Sequence, residues 1–591
     1  MTRIAIIEKE KCNPVGCGGY LCIRKCPVNR SGKEAMTIDP VDKKVQIDEK
    51  FSLEGCAQVC VKICPYGAIH VVNLPDKLTE SPLHRYGKNK FELFNAVVPK
   101  RGKVVGLLGR NGIGKSTALQ ILTNKIVPNL GDYGSKPDKA KIVEQFSNTS
   151  LGDYFKNLYS NKISVAYKPQ RVELLRDAYV GKVKDLLKKA DEVGSSDDYV
   201  KTLNMEKILD RDISELSGGE LQRLAIAAVC VKNAGVFFFD EPTSFLDITL
   251  RVKVAKLIRD LAAKGNCVVI VEHDLAVLDY ISDEIQIVYG QPATYGIIVQ
   301  PQAVRAGINE YLDGFISSAN MRFRDYKIKF DASAKPEISN EVLFEYPEVE
   351  KSYSSFSLKV GEGVVHKGEI MGIMGANGLV KSTFLRLLSG LERTDDNKKL
   401  NFEIAFKPQY LEPLEGTVKE VLESISKEKL SKSWFKKNVV GNLGLDHVWE
   451  LDVNKLSGGE FQKLHIAKTL LQDAVVYAFD EPSAFIDVED RMKVASILKD
   501  FVLTTGACAI VVDHDVQFID HVSDSMLVFE GVPSRSGSVV GPVPKGDGLN
   551  RVLRSLNLTY RKDHSNGRAR INKEGSVLDR EQKKSGKYYY S

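Results

Sequence analysis

LSGGELQR (Leu216–Arg223) and LSGGEFQK (Leu456–Lys463) are two copies of one signature on a single chain. Each is followed by an apolar run ending in Asp-Glu-Pro, VFFFDEP (Val236–Pro242) and VYAFDEP (Val476–Pro482). Each is preceded by a glycine-rich loop ending in Lys-Ser-Thr, GRNGIGKST (Gly109–Thr117) and GANGLVKST (Gly375–Thr383). Such a loop turns a row of backbone N–H groups and a helix N-terminus toward phosphate. The ordered set occurring twice implies two nucleotide-binding cassettes in tandem, each an α/β fold around a largely parallel sheet with a helical signature subdomain. Two cassettes on one chain can close face to face over two nucleotides.

The residue types assign roles. In the first cassette the loop residues Gly109, Asn111, Gly112 and Gly114 cradle phosphate, Lys115 reaches the β- and γ-phosphates, and Ser116, with Thr117 beside it, ligates Mg²⁺. Asp240 closes an apolar strand toward the Mg²⁺ shell, and Glu241 is the candidate base that orients water. Gln170 (KPQ) is placed to sense the metal and His273 (VEHD) to touch the γ-phosphate; a lone His273 would otherwise read as a core histidine. The second cassette repeats the set with Gly375, Asn377, Gly378, Lys381, Ser382, Thr383, Gln409, Asp480, Glu481 and His514. One position departs: Val380 stands where the first loop has Gly114, and a β-branched residue tolerates a left-handed backbone poorly. The second loop is therefore expected to bind or turn over ATP more weakly. Ser217, Gly218 and Gly219, and Ser457, Gly458 and Gly459, open helices whose positive ends gain a purpose only in trans. One composite site then pairs Lys115 with Ser457 and the other Lys381 with Ser217, with SFLD (Ser244–Asp247) and AFID (Ala484–Asp487) across the same junction.

The 591 residues make room for about four domains. No apolar run approaches the roughly 18–20 residues of a membrane span, and MTRIAIIEKEKC has no apolar signal core, so a cytosolic protein is expected. The formal charge of +6 lies almost wholly in the tail, where nine Lys or Arg face four acids between Arg561 and Ser591. This is either a solvated basic end or a phosphate-backbone contact. Seven of ten cysteines fall in the first 64 residues: Cys12, Cys17, Cys22, Cys26, Cys56, Cys60 and Cys64. Cys230, Cys267 and Cys508 sit in apolar contexts and read as packing. Clustered cysteines in a cytosolic chain favour metal over disulfide. Both groups end C-x3-C-P, the close of the bacterial ferredoxin run, in which the last cysteine ligates the other run's cluster; zinc and plain structural thiols are the alternatives. By that rule Cys12, Cys17, Cys22 and Cys64 hold one [4Fe–4S] cluster. Cys26, Cys56 and Cys60 give only three thiolates to a second, [3Fe–4S] or [4Fe–4S], with Leu53 about where a fourth cysteine would stand.

Together these residues resemble the ABC subfamily E proteins, the ribosome-recycling twin ATPases also called the RNase L inhibitor family. The resemblance runs the length of the chain and includes HRYGKNKFEL (His84–Leu93), YGQPATYG through NMRFR (Tyr289–Arg324), FEGVPS (Phe529–Ser534), and TYRKD, RARINK and EQKKSG (Thr559–Gly586). It implies two ABC-type nucleotide-binding domains facing each other, a ferredoxin-like iron–sulfur domain and hinge segments. The expected boundaries are 1–75 for the cluster domain, 76–290 for the first cassette with a helix–loop–helix at about 136–163, 291–335 for hinge 1, 336–530 for the second cassette, and 531–591 for hinge 2 with the basic tail. Tyr86 and Phe91 match positions that in the family stack near adenine, although as lone aromatics they read equally as core. The resemblance further implies ATP-driven splitting of ribosomes by a cytoplasmic monomer that contacts the small subunit through the inserted helices. Its expected partners are a release factor or the stalled-ribosome paralogue, and initiation factors. Two rivals remain at this stage, an ATP-locked ribosome-binding platform or inhibitor and an ATP-gated redox enzyme.

Overall fold

A computed structural model describes residues 3–9, 11–48, 57–73, 81–330, 341–353, 356–379, 381–400, 402–532 and 535–590. Cys56, Leu53 and Val380, each given weight above, lie outside the described residues.

The cluster domain is closed by its two ends, Arg3–Ile7 pairing antiparallel with Ile69–Asn73. Between them lie the hairpin Met36–Ile38/Val45–Ile47 and the helices Leu21–Arg24, Pro27–Arg30 and Ala57–Ile63. Pro27 occupies the first turn of its helix directly after Cys26, where a missing N–H costs nothing. Cys22, Cys26 and Cys60 are part of the buried core beside Ile7, Val28 and Ile47. A domain this small with so few large apolar side chains needs a further staple.

Each cassette is built on one mixed sheet whose central strands are parallel. In the first, the spatial order is His84–Arg85, Glu92–Phe94, Tyr295–Ile298, Glu284–Gln291, Val104–Leu108, Cys267–Val271, Val236–Asp240, Val165–Lys168. The second repeats the order with Val349–Tyr353, Phe356–Val360, Ser536–Pro544, Ser525–Val532, Ile370–Gly375, Cys508–Val512, Val476–Asp480 and Ile404–Lys407. Val104–Leu108 and Val236–Asp240 are buried at every position, which is why they read as continuous apolar runs rather than alternating ones. The sheets extend past the expected boundaries at 290 and 530, because Tyr295–Ile298 and Ser536–Pro544 return as antiparallel partners of Glu284–Gln291 and Ser525–Val532. The turn residues of GQPAT mark a reversal inside the sheet, not the end of the cassette. The insertion forms two helices, Lys139–Gln145 and Ser150–Tyr159.

The cassettes share their cores across the junction. Ile248, Val252 and Ala276 of the first pack in the apolar cluster of the second, and Val488 of the second packs in that of the first. Phe245 and Phe485 meet edge to face at 5.3 Å in the centre. The two hinges cross over. Arg324 in hinge 1 reaches Glu489 of the second cassette at 3.5 Å. Hinge 2 pairs Tyr560–Lys562 with Ala569–Ile571 and lies on the first cassette, where Arg570 grips Asp279 through two bonds of 2.6 and 3.1 Å. Of the tail cations, Arg568 is wholly buried and donates to the Leu275 carbonyl (3.2 Å). That part of the basic tail therefore faces inward and is neither solvated nor free for phosphate.

Candidate active sites

Both P-loops leave a buried parallel strand and enter a helix, Lys115–Leu122 and Lys381–Leu388. Gly112 (φ 72°), Gly114 (φ 96°) and Gly378 (φ 80°) are left-handed. A Cβ on Gly114 would lie 2.6 Å from the Phe91 ring, so Phe91 props the loop from beneath. Tyr86 is 44% exposed and its hydroxyl lies 3.2 Å from Thr117 Oγ1. Lys115 Nζ donates to the Gly109 and Arg110 carbonyls (2.8 and 2.7 Å), and Lys381 Nζ to those of Gly375 and Ala376 (3.0 and 3.1 Å). Burial lowers the pKa of both amines by more than the facing carboxylates raise it, and an incoming phosphate adds negative charge that favours their protonated form.

Behind each loop stands an acid pair on a strand end. Ser116 Oγ lies 3.2 Å from Asp240 Oδ2, and Ser382 Oγ 2.5 Å from Asp480 Oδ2. A hydroxyl beside a carboxylate is the hard oxygen set that Mg²⁺ takes together with phosphates. Burial, then the neighbouring Glu241, pushes the Asp240 carboxyl up to about 6. Glu241 and Glu481 both hold φ 48°, unusual for a side chain of that size. The strain is held in place by bonds to the Glu241 carbonyl from Gln222 Nε2 (2.7 Å) and Lys168 Nζ (3.1 Å), repeated on Glu481 by Gln462 and Lys407. Gln170 Nε2 donates to Glu241 Oε1 and Gln409 Nε2 to Glu481 Oε1, both at 2.7 Å. His273 Nε2 stands 3.4 Å from Glu241 Oε1, and His514 Nε2 3.7 Å from Glu481 Oε1. Burial pushes the Glu241 carboxyl up, but the facing His273 imidazole and the Lys115 and Lys168 charges outweigh it and hold the group at about 2. At Glu481, burial with Asp480 and Asp513 prevails and the carboxyl rises to about 7. Thr243 and Glu272 of the first cassette are replaced by Ser483 and Asp513 in the second, and the pairs Thr243–Glu272 and Ser483–Asp513 stay bonded.

A cavity of about 820 Å³ joins Tyr86, Asn111, Lys115, Ser116, Gln170 and Glu241 of the first cassette to Ser457, Gly458 and Gly459 of the second. Ser457 caps its helix in a capping box with Glu460, as Ser217 does with Glu220. A Cβ on Gly219 or Gly459 would come within 2.9 Å of the Phe245 or Phe485 carbonyl, so each glycine admits its own cassette's junction loop. Across the junction Asn111 N donates to Asp487 (3.1 Å) and Asn377 N to Asp247 (2.9 Å).

The sequence of the chain matches the ABC transporter family at residues 97–244 and 360–484. Residues 2–34 match the family described as a possible Fer4-like domain in RNase L inhibitor, RLI. An uncharacterized ABC transporter ATP-binding protein of Methanocaldococcus jannaschii is 43% identical over 100% of this chain and 97% of that protein. Translation initiation factor RLI1 of Saccharomyces cerevisiae is 40% identical over 100% of this chain and 98% of its own. Archaeal ABCE1, in a model of its ribosome-bound form with Pelota, superposes with a TM-score of 0.96 at 47% identity, covering 100% and 99% of the two chains.

The chain belongs to the ABCE1/RLI family.

As an ABCE1/RLI protein it carries two ABC ATPase domains, whose substrate is ATP with Mg²⁺, and a Fer4-like domain. Among the described residues no helix is long and apolar enough to cross a membrane. In the Fer4-like domain burial, then Cys64, Cys12 and Cys17, pushes the Cys22 thiol up to about 12, and Cys12 is raised by burial and by Cys64 and Cys17. These four thiols are thus within electrostatic reach of one another, and they are the set expected to hold the first cluster. Among the described residues no three His, Cys, Asp or Glu converge closely enough to hold one metal ion. Neighbouring but separated thiols suit a polynuclear cluster, which takes them as thiolates. Cys26 and Cys60 are buried.

Sequence reasoning missed several residues. Tyr353 contacts Thr383 and Glu392 as Tyr86 contacts Thr117, but KSYSS carries none of the HRYGKN context. Lys168, Lys407, Gln222 and Gln462 lie inside recognised motifs (YKPQ, FKPQ, GELQ and GEFQ), and only the fold reveals that they hold the acid carbonyls.

Proposed function

We propose that this chain hydrolyses ATP at two composite sites and uses the resulting closure and opening of its cassettes to split ribosomes into subunits, together with a release factor or its stalled-ribosome paralogue. The observation that carries the reading is the cavity uniting the Lys115 loop with the Ser457 signature, because such a site is complete only when the cassettes meet. The full-length likeness to a translation factor and to a ribosome-bound protein supplies the target. Residues 139–159 form a helical pair that buries Ile142, Leu151, Phe155 and Leu158 against the first cassette and leaves its polar face outward for the small subunit, initiation factors are further partners, and the setting is the cytoplasm.

In the mechanism Lys115 and Lys381 leave their loop carbonyls for the β- and γ-phosphates. Ser116 with Asp240, and Ser382 with Asp480, would hold Mg²⁺, which would supply positive charge against the phosphates. Gln170 and Gln409 report the γ-phosphate to Glu241 and Glu481, which orient the attacking water. His273, whose Nε2 faces Glu241 at 3.4 Å, and His514 steady the γ-phosphate. Ser457 and Ser217 bring helix N-termini to it from across the junction. Hydrolysis severs the γ-phosphate from the nucleotide, and when the free phosphate leaves, both halves lose the group they grip and the clamp reopens. Cys12, Cys17, Cys22 and Cys64 would hold one [4Fe–4S] cluster, and Cys26, Cys56 and Cys60 a second with three cysteine ligands, [3Fe–4S] or [4Fe–4S]. When bound, such clusters would cross-link the small domain through these cysteines. Electron paramagnetic resonance of anaerobic protein showing two fully cysteine-ligated [4Fe–4S] centres would refute that ligand count.

The test is light scattering of intact ribosomes mixed anaerobically with the protein, a release factor and ATP. A drop that needs ATP and is lost in Lys115→Ala supports splitting. ATP-dependent binding without a drop replaces the reading with an ATP-locked platform.

A further inference from the structure

The two halves of the cassette junction use the same motifs but different charges. Beside the matched contacts of Asn111 with Asp487 and Asn377 with Asp247, the residue after the first loop glycine is Arg110 in one cassette and Ala376 in the other. Likewise the second residue of the helix after the junction loop is Glu489 in one and Thr249 in the other. Arg110 and Glu489 face each other, Nε to Oε2 at 3.7 Å. Ala376 and Thr249 have no charge with which to do the same.

Glu489 is a node. It is 2% exposed and sits in the first turn of the helix Val488–Thr505, where the helix dipole favours a carboxylate. Lys493 Nζ lies 2.8 Å from it, the Tyr326 hydroxyl donates to it, and Arg324 Nη1 is at 3.5 Å. Arg324 in turn donates to the Tyr311 and Leu312 carbonyls (2.6 and 2.7 Å) at the end of the helix Val304–Asp313. A polar chain thus runs from the first P-loop, across the junction to the second cassette, and back through hinge 1 to the first. Its first link is mechanically tied to the nucleotide, since the Arg110 carbonyl is one of the two that Lys115 Nζ holds. When Lys115 turns to phosphate, the peptide bearing the Arg110 side chain loses that restraint, and the guanidinium gains freedom to close on Glu489.

We propose that Arg110 is a positioning residue which, with Glu489, forms a one-sided latch: it slows opening of the Lys115–Ser457 site relative to the Lys381–Ser217 site and couples that opening to hinge 1. The latch rests on the reading that ATP occupies both composite sites. It gives the two sites different lifetimes without altering the groups that touch phosphate.

The experiment uses full-length, cluster-loaded protein and a fluorescent ATP analogue with Mg²⁺, with dissociation read by chase. Lys381→Ala isolates the first P-loop and Lys115→Ala the second. In the first background Arg110→Ala should speed dissociation about five-fold, the upper range for a part-exposed ion pair, and Arg110→Lys should restore part of the loss. The dissociation rate should rise with salt while Arg110 is present, and the Arg110→Ala variant should lose that dependence. Hydrogen exchange of residues 320–330 should quicken in the same variant. In the second background Arg110→Ala should change nothing, whereas Ala376→Arg combined with Thr249→Glu should slow release. A merely damaged loop would weaken association, would not depend on salt and would leave hinge 1 untouched. Unchanged release in Arg110→Ala, or equal acceleration in both backgrounds, overturns the latch while ATP binding stands. Failure of the unmutated protein and of both single-lysine variants to retain nucleotide removes the ATP reading and the latch with it.

Discussion

Asp279→Ala should undock hinge 2 from the first cassette without unfolding either sheet. Asp279 accepts two charge-assisted bonds from Arg570, at 2.6 and 3.1 Å, and lies 3.8 Å from the wholly buried Arg568. Arg568 Nε and Nη2 have no hydrogen-bond partner, and burial already pulls this guanidinium down to about 10. Asp563, 3.2 Å from Arg570, is the remaining counter-charge. Removing Asp279 leaves Arg568 and Arg570 with Asp563, which already pairs with Arg305 at 3.3 Å, and stripping one partner from a buried ion pair costs about 3–5 kcal/mol. These groups join hinge to cassette, so the cost falls on a local opening rather than on global unfolding. Hydrogen exchange measured by mass spectrometry should therefore accelerate roughly 100- to 4000-fold for amides between 559 and 572, at ~1.4 kcal/mol per factor of ten. The sheet strands Val104–Leu108 and Val476–Asp480 should keep their protection. Restoring neutrality with Asp279→Leu and Arg568→Met together should recover much of the docking. An acceleration under ten-fold in the hinge, or an equal one throughout the chain, would refute the assignment of Asp279 as its anchor.

Three further outcomes are expected. His465 is 3% exposed, and burial, aided by Lys468 and Lys407, holds its imidazole at about 4. Its folded value lies below the unfolded ~6.5, so the unfolded chain binds the extra proton and stability falls as pH drops from 6.5 toward 4, by at most about 3 kcal/mol. Calorimetry should show the second cassette losing this stability, and His465→Ala, matching Ala225 of the first, should flatten the slope. Tyr353→Ala should weaken ATP binding at the second loop about ten-fold through loss of a stacking face, measurable by titration in Lys115→Ala; unchanged affinity there would leave Tyr353 as surface packing. Val380→Gly should tighten the same site, and equal affinities of the two wild-type loops would remove the basis for that expectation.

The legible part of this molecule is the part that nature writes locally. The loop, signature and Asp-Glu strand each lie within about ten residues, so their spacing survives as text, and the cysteine runs are readable for the same reason. Trans pairing of Lys115 with Ser457 could be argued because a signature helix has no phosphate in its own cassette to meet. Arg110, Glu489, Asp279 and Arg568 are ordinary charges in sequence, and they acquire meaning only from neighbours in another domain. The tail shows the limit most plainly. Its excess of cations invites a solvent or phosphate reading, yet Arg568 and Arg570 are spent inward because Asp279 awaits them on the first cassette. The sheet boundaries near 290 and 530 were blurred by glycine and proline, which mark a reversal whether or not the sheet continues beyond it.

The crossing of hinge 2 onto the first cassette has a consequence for how the protein is made. Arg570 and Asp279 are 291 residues apart in the chain. Synthesis at roughly 5–20 residues per second separates their emergence by about 15–60 s, during which the surface around Leu275–Ile281 waits for its cover. The first cassette can form its sheet early, but its final docking waits until hinge 2 has been made. A ribosome that stalls before hinge 2 emerges would therefore carry a nascent chain whose two engines are assembled and whose strap is missing.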